Sequence, residues 1–413
     1  MKKVVFSPAD ILIPHDPDAE KWSVIACDQF SSEPEYWERV RDYVGDEPST
    51  LNMIIPEAHL GKLDIDSKAK SIRDVMLDYI EHGVFRSIER SFVYVERTLS
   101  DGRVRRGLVG AVDLDSYDFS GSKAAILASE GTVLDRLPAR VRVRSEVPLE
   151  LPHIMAFIND KNETVIEPLS EKSSELPLLY DFDLVEGGGH IKGMRVAGAD
   201  ADAVIAAMIS LHDSDDTLMV IGDGNHSLAA AKVYWDDIKR SISAAERSRH
   251  PARQALVEIN NVFDHSINFE AIHRLVFDTD VDSFVRSFIG AMKSGADYTL
   301  LWIAGDRSGH IGIAAACIGD MLTDVQEFLD EYIERMGCNV DYIHGEESAM
   351  RLARGDRSVG LILPSMDKSE LFATVRSRGV FPKKSFSVGH AEDKRYYLEC
   401  RQIAVCGLQG IRD

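Results

Sequence analysis

The stretch "TLMVIGDGNHSLAAAKVYW", residues 217–235, constrains this chain more than any other. Its apolar start, Leu218 to Ile221, is short, β-rich and closed by glycine, which predicts a buried strand. The alanine-rich run after His226 predicts a helix. A strand passing straight into a helix aims that helix's open N–H groups and positive dipole end at whatever lies beyond the strand. Two glycines, an acid, an amide, an imidazole and a hydroxyl occupy the turn between them. Such a turn has the chemistry of a phosphate loop. It also has the chemistry of a plain connection in which Asp223 or Asn225 is the N-cap.

In the phosphate reading, the backbone N–H groups of Gly224, Asn225, His226 and Ser227 face the anion, and Gly222 eases its approach. Asp223 cannot cradle a phosphate, because two anions repel. Its useful roles are to hold a Mg²⁺ ion that bridges phosphates or to accept a proton from an attacking hydroxyl. His226 can donate to a phosphate oxygen or shuttle a proton. The better-known signatures are absent: there is no GxxxxGK[ST], no third glycine of a dinucleotide fingerprint, no HExxH and no GxSxG.

Elsewhere, "SEPEYWERVRDYV" (32–44) predicts a serine-capped helix, and "DSKAKSIRDVMLDYIEHGVF" a second one stopping at Gly83. "SFVYVERTLSDGRVRRGLVGAVDL" predicts a hairpin around Ser100-Asp101-Gly102, and "HIMAFINDKNETVIEPL" another turning at 159–162. The alternation in "RVRVR" (140–144) predicts a strand with one wet face. "DADAVIAAMISLHDSDD" and "HSLAAAKVYWDDIKRSISAAERS" predict helices; "ARQALVEINNVFD" and "INFEAIHRLVF" predict strands. Beyond the acidic stretch Asp278 to Asp282 come two strands, a helix over "LTDVQEFLDEYIERMG", and a strand, Pro364 and helix over "GDRSVGLILPSMDKSELFATVRSRG". The mixture gives an α+β class, with domains at 1–278 and 279–413, the second a smaller α/β domain.

The formal charge of −21 over 413 residues opposes a nucleic-acid coat, which needs clustered Lys and Arg. No apolar run approaches the roughly eighteen residues of a membrane span. Five scattered cysteines without a CxxC pair suit reduced thiols and give no zinc pattern, so a cytoplasmic protein is expected, with a homo-oligomer allowed.

Several blocks resemble a known group. "IGDGNHSLAAAK" is similar to the Asp-Gly-His-His-Arg type motif of the ParB/sulfiredoxin-like superfamily. Nearly the whole chain resembles a long bacterial branch described as a domain of unknown function and labelled SpoOJ/ParA/ParB/RepB family protein. The matching blocks are "VIACDQFSSEPEYWE", "SEGTVLDRLPARVRVR", "LELPHIMAFIND", "IHRLVF", "DYIHGEE" and "KRYYLECRQI". The superfamily includes CTP-binding ParB proteins, ATP-using sulfiredoxins and a free-serine kinase. The resemblance therefore implies a ParB/sulfiredoxin-like core, a nucleotide (ATP or ADP) with Mg²⁺, and a kinase acting on a small hydroxyl metabolite such as a serine-like amino acid. A nucleotide-sensing or DNA-associated ParB-like protein without catalysis, or a hydrolase of a phosphorylated metabolite, is the rival. His226-Ser227 stands where many relatives have His-Arg, and Leu127 where the branch carries an arginine, so Arg136 or Arg274 is left to supply the guanidinium. Glu130 is a further candidate base. Asp28, Gln29 and His273 are candidate substrate-binding residues. His153 is expected in the core, and "YYLE" (396–399) in packing.

Overall fold

The computed structural model describes residues 4–15, 20–26, 30, 33–56, 64–121 and 123–405. It is a mixed helix-and-strand protein with several sheets. Two compact units divide it. The first holds residues 1–128, 132–267 and 390–413; the second holds 129–131 and 268–389. The boundary expected at 278/279 falls inside the second unit.

In the first unit, helix α1 (Ile65–Glu81) begins at Asp64, whose carboxylate accepts the Asp66 N–H, and the chain turns after it at Gly83 in a left-handed conformation. The strands β1 (Phe85–Thr98) and β2 (Val104–Asp113) form the expected antiparallel hairpin. Gly102 supplies the positive φ of its turn, and the Asp101 carboxylate accepts the Arg103 N–H at 2.9 Å. Next come β3 (Ile126–Ala128), α2 (Leu137–Glu146), β4 (Met155–Ile158), β5 (Leu178–Asp183) and β6 (His190–Val196). The helix Ala199–Ser214 leads to β7 (Met219–Asp223), α3 (Asn225–Ser241) and β8 (Gln254–Asn261). The main sheet runs β5-β6-β1-β2-β8-β4-β7-β3. It is antiparallel except where β8 meets β4, where β7 meets β3 and where the short strand Tyr117–Asp118 pairs with β3.

The second unit contains β9 (Phe269–Phe277), β10 (Ser294–Ala304), β11 (Arg307–Ile313), α4 (Ile318–Met336), β12 (Asn339–His344) and β13 (Val359–Ile362). These strands lie in the order β11-β10-β13-β9-β12, every pair antiparallel. The helix Lys368–Arg378 follows Pro364, as expected, behind an Asp367/Glu370 capping box.

Three local expectations are corrected. "RVRVR" belongs to α2, a helix. Val141 packs toward Leu137, Ala229 and Ala230, while Val143 joins the main core, so two valines on different faces serve different neighbours. The stretch after β4 does not return as a strand. Asp160 accepts the Thr164 and Val165 N–H groups at 2.6 and 2.9 Å, and the chain enters the short helix Glu167–Glu171. The long helix after His226 ends at Ser241, because Ser243 and Glu246 form a capping box that starts a separate turn, Ala244–Arg247. The helix at Pro34–Val44 forms with Glu33 at its N-cap; Ser32, the expected cap, lies outside the described residues.

The C-terminal segment returns to the first unit. Tyr396–Tyr397 pairs with Val24–Ile25, and Arg401–Gln402 with Leu149–Glu150. Tyr396 and Leu398 are buried in the core, as the packing reading of "YYLE" required. Between them and the sheet lies a set of buried charges. Arg395 Nε donates to Glu258 at 2.7 Å and Nη2 to Glu399 at 2.6 Å. The Tyr180 hydroxyl donates to Glu399 at 2.6 Å. Burial alone would raise the Glu258 carboxyl; Arg395 and Arg105 outweigh it and hold it below the usual carboxylate range. The substitution Arg395→Met strips the partner from two buried carboxylates. Urea unfolding is expected to show a loss of about 3–5 kcal/mol, whereas a loss under about 1 kcal/mol, the scale of an exposed pair, would show that the ion set contributes little.

Candidate functional site

Packing explains both glycines of the turn. A Cβ at Gly222 would lie 2.2 Å from the Phe157 ring, and Gly224 has φ 79° with Ile154 3.0 Å from its Cβ position. Gly224 is itself the N-cap of α3, so neither Asp223 nor Asn225 caps the helix; the left-handed backbone at this step admits glycine far better than any L residue. The first intrahelical bond runs from Leu228 N–H to Gly224 C=O at 3.0 Å, which leaves the N–H groups of Asn225, His226 and Ser227 outside the helical ladder. Strand β7 delivers this helix end beside β3 and β4.

The Asp223 carboxylate has two partners. One oxygen accepts the Gly224 N–H at 2.8 Å, and the other lies 3.1 Å from the buried Lys394 ammonium. Sequence reasoning missed Lys394. Its only signal was its place at the head of "KRYYLECRQI", 171 residues from Asp223, and only the returning C-terminal segment closes that distance. His226 Nε2 accepts the Val133 N–H at 3.2 Å, which assigns the proton of a neutral ring to Nδ1. The same bond ties the 133–136 loop to the turn. Arg136 sits exposed at the end of the 3₁₀ turn Leu134–Arg136, and its carbonyl accepts from Arg140 at 3.0 Å.

A cavity of about 170 Å³ opens next to the turn, with Ser227 and Ala230 of α3 in its wall. Because α2 is helical, Arg140 and Arg144 stand four residues apart on one face and both line this cavity. Arg142 points elsewhere, to Asp66 at 2.6 Å and Glu146 at 2.5 Å. Met53, Met76 and Val143 supply apolar lining. His153 is half-buried in the wall, edge-on to Tyr397 at 5.1 Å, and not the core histidine expected. Glu150, also in the wall, would be raised by burial, but Arg401 and Arg144 outweigh that and hold it low.

Gly222 to Ser227, with Asp223 and His226 among them, thus share one turn. Glu130, His273 and Arg274 belong to the second unit. There Arg274 is buried, donating to the Ile272 and Lys384 carbonyls at 2.6 and 2.9 Å and stacking on Tyr342 at 4.6 Å. Burial lowers it to about 10, against the pull of Tyr342 and Glu130. Asp28 and Gln29 lie outside the described residues. Among the described residues, no three His, Cys, Asp or Glu side chains gather to hold a metal, and no helix is long and apolar enough to cross a membrane.

The profile of a family described as "Protein of unknown function (DUF1015)" matches residues 14–401. Among curated proteins, none matches significantly. Solved structures with some likeness include a conserved hypothetical protein from Pyrococcus furiosus, 13% identical, covering 69% of this chain and 92% of that one at a TM-score of 0.36. A free serine kinase in complex with AMP is 13% identical, with 70% and 90% covered and a TM-score of 0.38. SbnI with C-terminal truncation from Staphylococcus aureus is 10% identical, with 74% and 90% covered and a TM-score of 0.39. At such scores these likenesses carry no functional weight.

His273 yields a pH test. Burial first, then the Arg274 and His344 charges, push it down to about 4. Its Nδ1 accepts the Leu363 N–H at 3.2 Å, which requires that nitrogen to be unprotonated. The unfolded histidine titrates near 6.5, so between those values the unfolded chain binds more protons and stability falls as the pH drops. The loss from pH 6.5 to 4 is expected to be on the order of 3 kcal/mol. His273→Gln should flatten that part of the urea-midpoint profile; identical slopes in the two proteins would contradict it.

Proposed function

The chain belongs to the DUF1015 family, whose description assigns no chemistry, and we propose that it is a nucleotide-dependent enzyme acting on a small hydroxyl-bearing metabolite. The observation that carries this reading is a convergence on one turn: the α3 N-terminus, the Lys394 ammonium and a cavity that contains Ser227. Each is weak alone. Together they offer an anion three backbone N–H groups, a favourable dipole and a buried cation.

Phosphates of ATP or ADP would rest against the N–H groups of Asn225, His226 and Ser227, with Lys394 as the point charge beside them. Asp223 alone would repel those phosphates; paired with Lys394, it holds the ammonium at the turn. Mg²⁺ is commonly held by one or two carboxylates plus substrate phosphates, and Asp223 is the carboxylate at this position. A bound nucleotide supplies the phosphoryl group. His226, whose Nε2 accepts the Val133 N–H, would donate from Nδ1 to a phosphate oxygen in this reading. The reading at its most specific is a kinase of ParB/sulfiredoxin-like type whose acceptor is the hydroxyl of a serine-like amino acid. Nucleotide sensing and hydrolysis of a phosphorylated metabolite use the same turn, and the net charge of −21 disfavours DNA.

Calorimetric titration of the whole chain with ATP and ADP, with and without Mg²⁺, tests the reading. Both nucleotides are expected to bind, and Lys394→Met to weaken them roughly 10- to 100-fold, the span of a lost charge-assisted bond. Asp223→Asn keeps an oxygen for the Gly224 N–H but removes the charge that faces the buried Lys394 ammonium, so the melting temperature is expected to fall, and turnover of the folded protein to fall by roughly 10²–10⁴. Absence of heat and of thermal shift with either nucleotide at millimolar concentration would overturn the proposal.

A further inference from the structure

We propose that Arg97 and Arg105 are positioning residues of the turn: together they hold the main chain of residues 392–394 so that the Lys394 ammonium stands at the Asp223 carboxylate. That this ammonium then meets a phosphate rests on the function proposed above; the positioning rests on contacts within the first unit alone.

The starting observation is a pairing that sheets ordinarily avoid. Arg97 of β1 and Arg105 of β2 lie directly opposite each other in the hairpin register, and both side chains are buried. Like charges opposed across an antiparallel pair are destabilising, and burial makes each charge costlier still. Burial first, then Arg105, pulls the Arg97 guanidinium down to about 10. Among the described residues, the N–H groups of both arginines donate to main-chain carbonyls rather than to carboxylates.

Most of those carbonyls belong to one short segment. Arg105 Nη1 donates to Asp393 at 2.8 Å, and Arg97 donates to Glu392 at 3.2 Å, to Lys394 at 3.4 Å and to Gly188. The Arg97 guanidinium also lies over the Tyr396 ring, 4.8 Å from its centre. A planar fork seated on a ring and bonded along its edge has its own orientation fixed, so it fixes what it holds. In return, the Asp393 carboxylate accepts the Ser100 N–H at 3.0 Å, from the turn of the same hairpin.

Lys394 sits where such a hold matters. On its C-terminal side the chain is secured by the Arg395 ion pairs and by the pairing of Tyr396–Tyr397 with Val24–Ile25. On its N-terminal side, residues 391–393 form a single 3₁₀ turn, and the two arginines secure it at successive carbonyls. A lysine side chain carries each small movement of its backbone to the ammonium. Misplacing a group by about 1 Å costs on the order of 100-fold where its position matters. Docking of the segment is already served by the Arg395 set; what the opposed arginines add is the position of Lys394.

The test reads position apart from stability. Urea unfolding of the full chain is measured for the parent, Lys394→Met, Asp223→Asn and the double variant, each with and without Arg97→Lys. That substitution keeps the charge and removes the fork. The coupling between Lys394 and Asp223, read as a ratio of unfolding constants, is expected to be about 10-fold in the parent and under about twofold with Arg97→Lys. An arginine with a merely structural role would lower the stability of all four proteins alike and leave that ratio unchanged. Arg105→Lys takes the place of Arg97→Lys if a thermal melt shows the latter unfolded. Calorimetry with ATP supplies a second readout. Arg97→Lys is expected to weaken binding roughly 10-fold in the parent and to have no further effect once Lys394→Met is present. A coupling absent from the parent, or equal with and without Arg97→Lys, overturns the positioning, and so does an ATP loss that persists in full beside Lys394→Met. A coupling that shrinks in a chain that ignores ATP would remove the nucleotide reading and leave the positioning standing.

Discussion

The ion pairs of Arg395 with Glu258 and Glu399 are the constraint on which the first unit depends. A buried charge is tolerable only with its partner in place, so the pairing fixes where the C-terminal segment lies. The sheet is built around it. Gly107 of β2 faces Glu258, and a Cβ there would fall 2.2 Å from a Glu258 carboxylate oxygen. The glycine is therefore a space for the acid rather than a flexible link. Arg105 donates to the Asp393 carbonyl at 2.8 Å, and Arg97 to the Glu392 and Lys394 carbonyls at 3.2 and 3.4 Å, so three consecutive carbonyls of the segment are clamped by arginines of the hairpin strands.

That clamp has a consequence for the turn. Lys394 is the residue before Arg395, and its ammonium reaches Asp223 only because the backbone around it is held. A long flexible lysine at an exposed site would sample many rotamers, and its pair with a carboxylate would contribute little. Here the side chain is buried and the anchoring residues are buried too, so the charge is delivered at small further entropic cost. The turn itself, Gly222 to Ser227, carries no lysine or arginine. Lys394 at the turn, with Arg140 and Arg144 in the wall of the adjoining cavity, brings cations from other elements to a turn that has none of its own.

Where the sequence was legible, one local force dominated. The β1–β2 hairpin followed from alternation and a Ser-Asp-Gly turn, and the β7–α3 passage from an apolar run, a glycine and an alanine-rich helix. Where it misled, a neighbour decided. Alternating Arg and Val at 140–144 fits a strand with one wet face, yet it fits equally a helix packed on two sides, with Val141 toward α3 and Val143 toward the main core. A return strand after residue 160 was plausible until Asp160 took the N–H groups that a ladder would have used.

By itself, then, the sequence determined the passage from a buried strand through a glycine-bearing polar turn into the helix that opens at Asn225. These follow from local backbone sterics and hydrophobic period, which act over a few residues. Only the tertiary structure decided that Lys394 pairs with Asp223, that α2 is a helix presenting two arginines, and that a cavity lies against Ser227. Those facts depend on which distant segments bury charge and apolar surface together, a balance that no window along the chain contains.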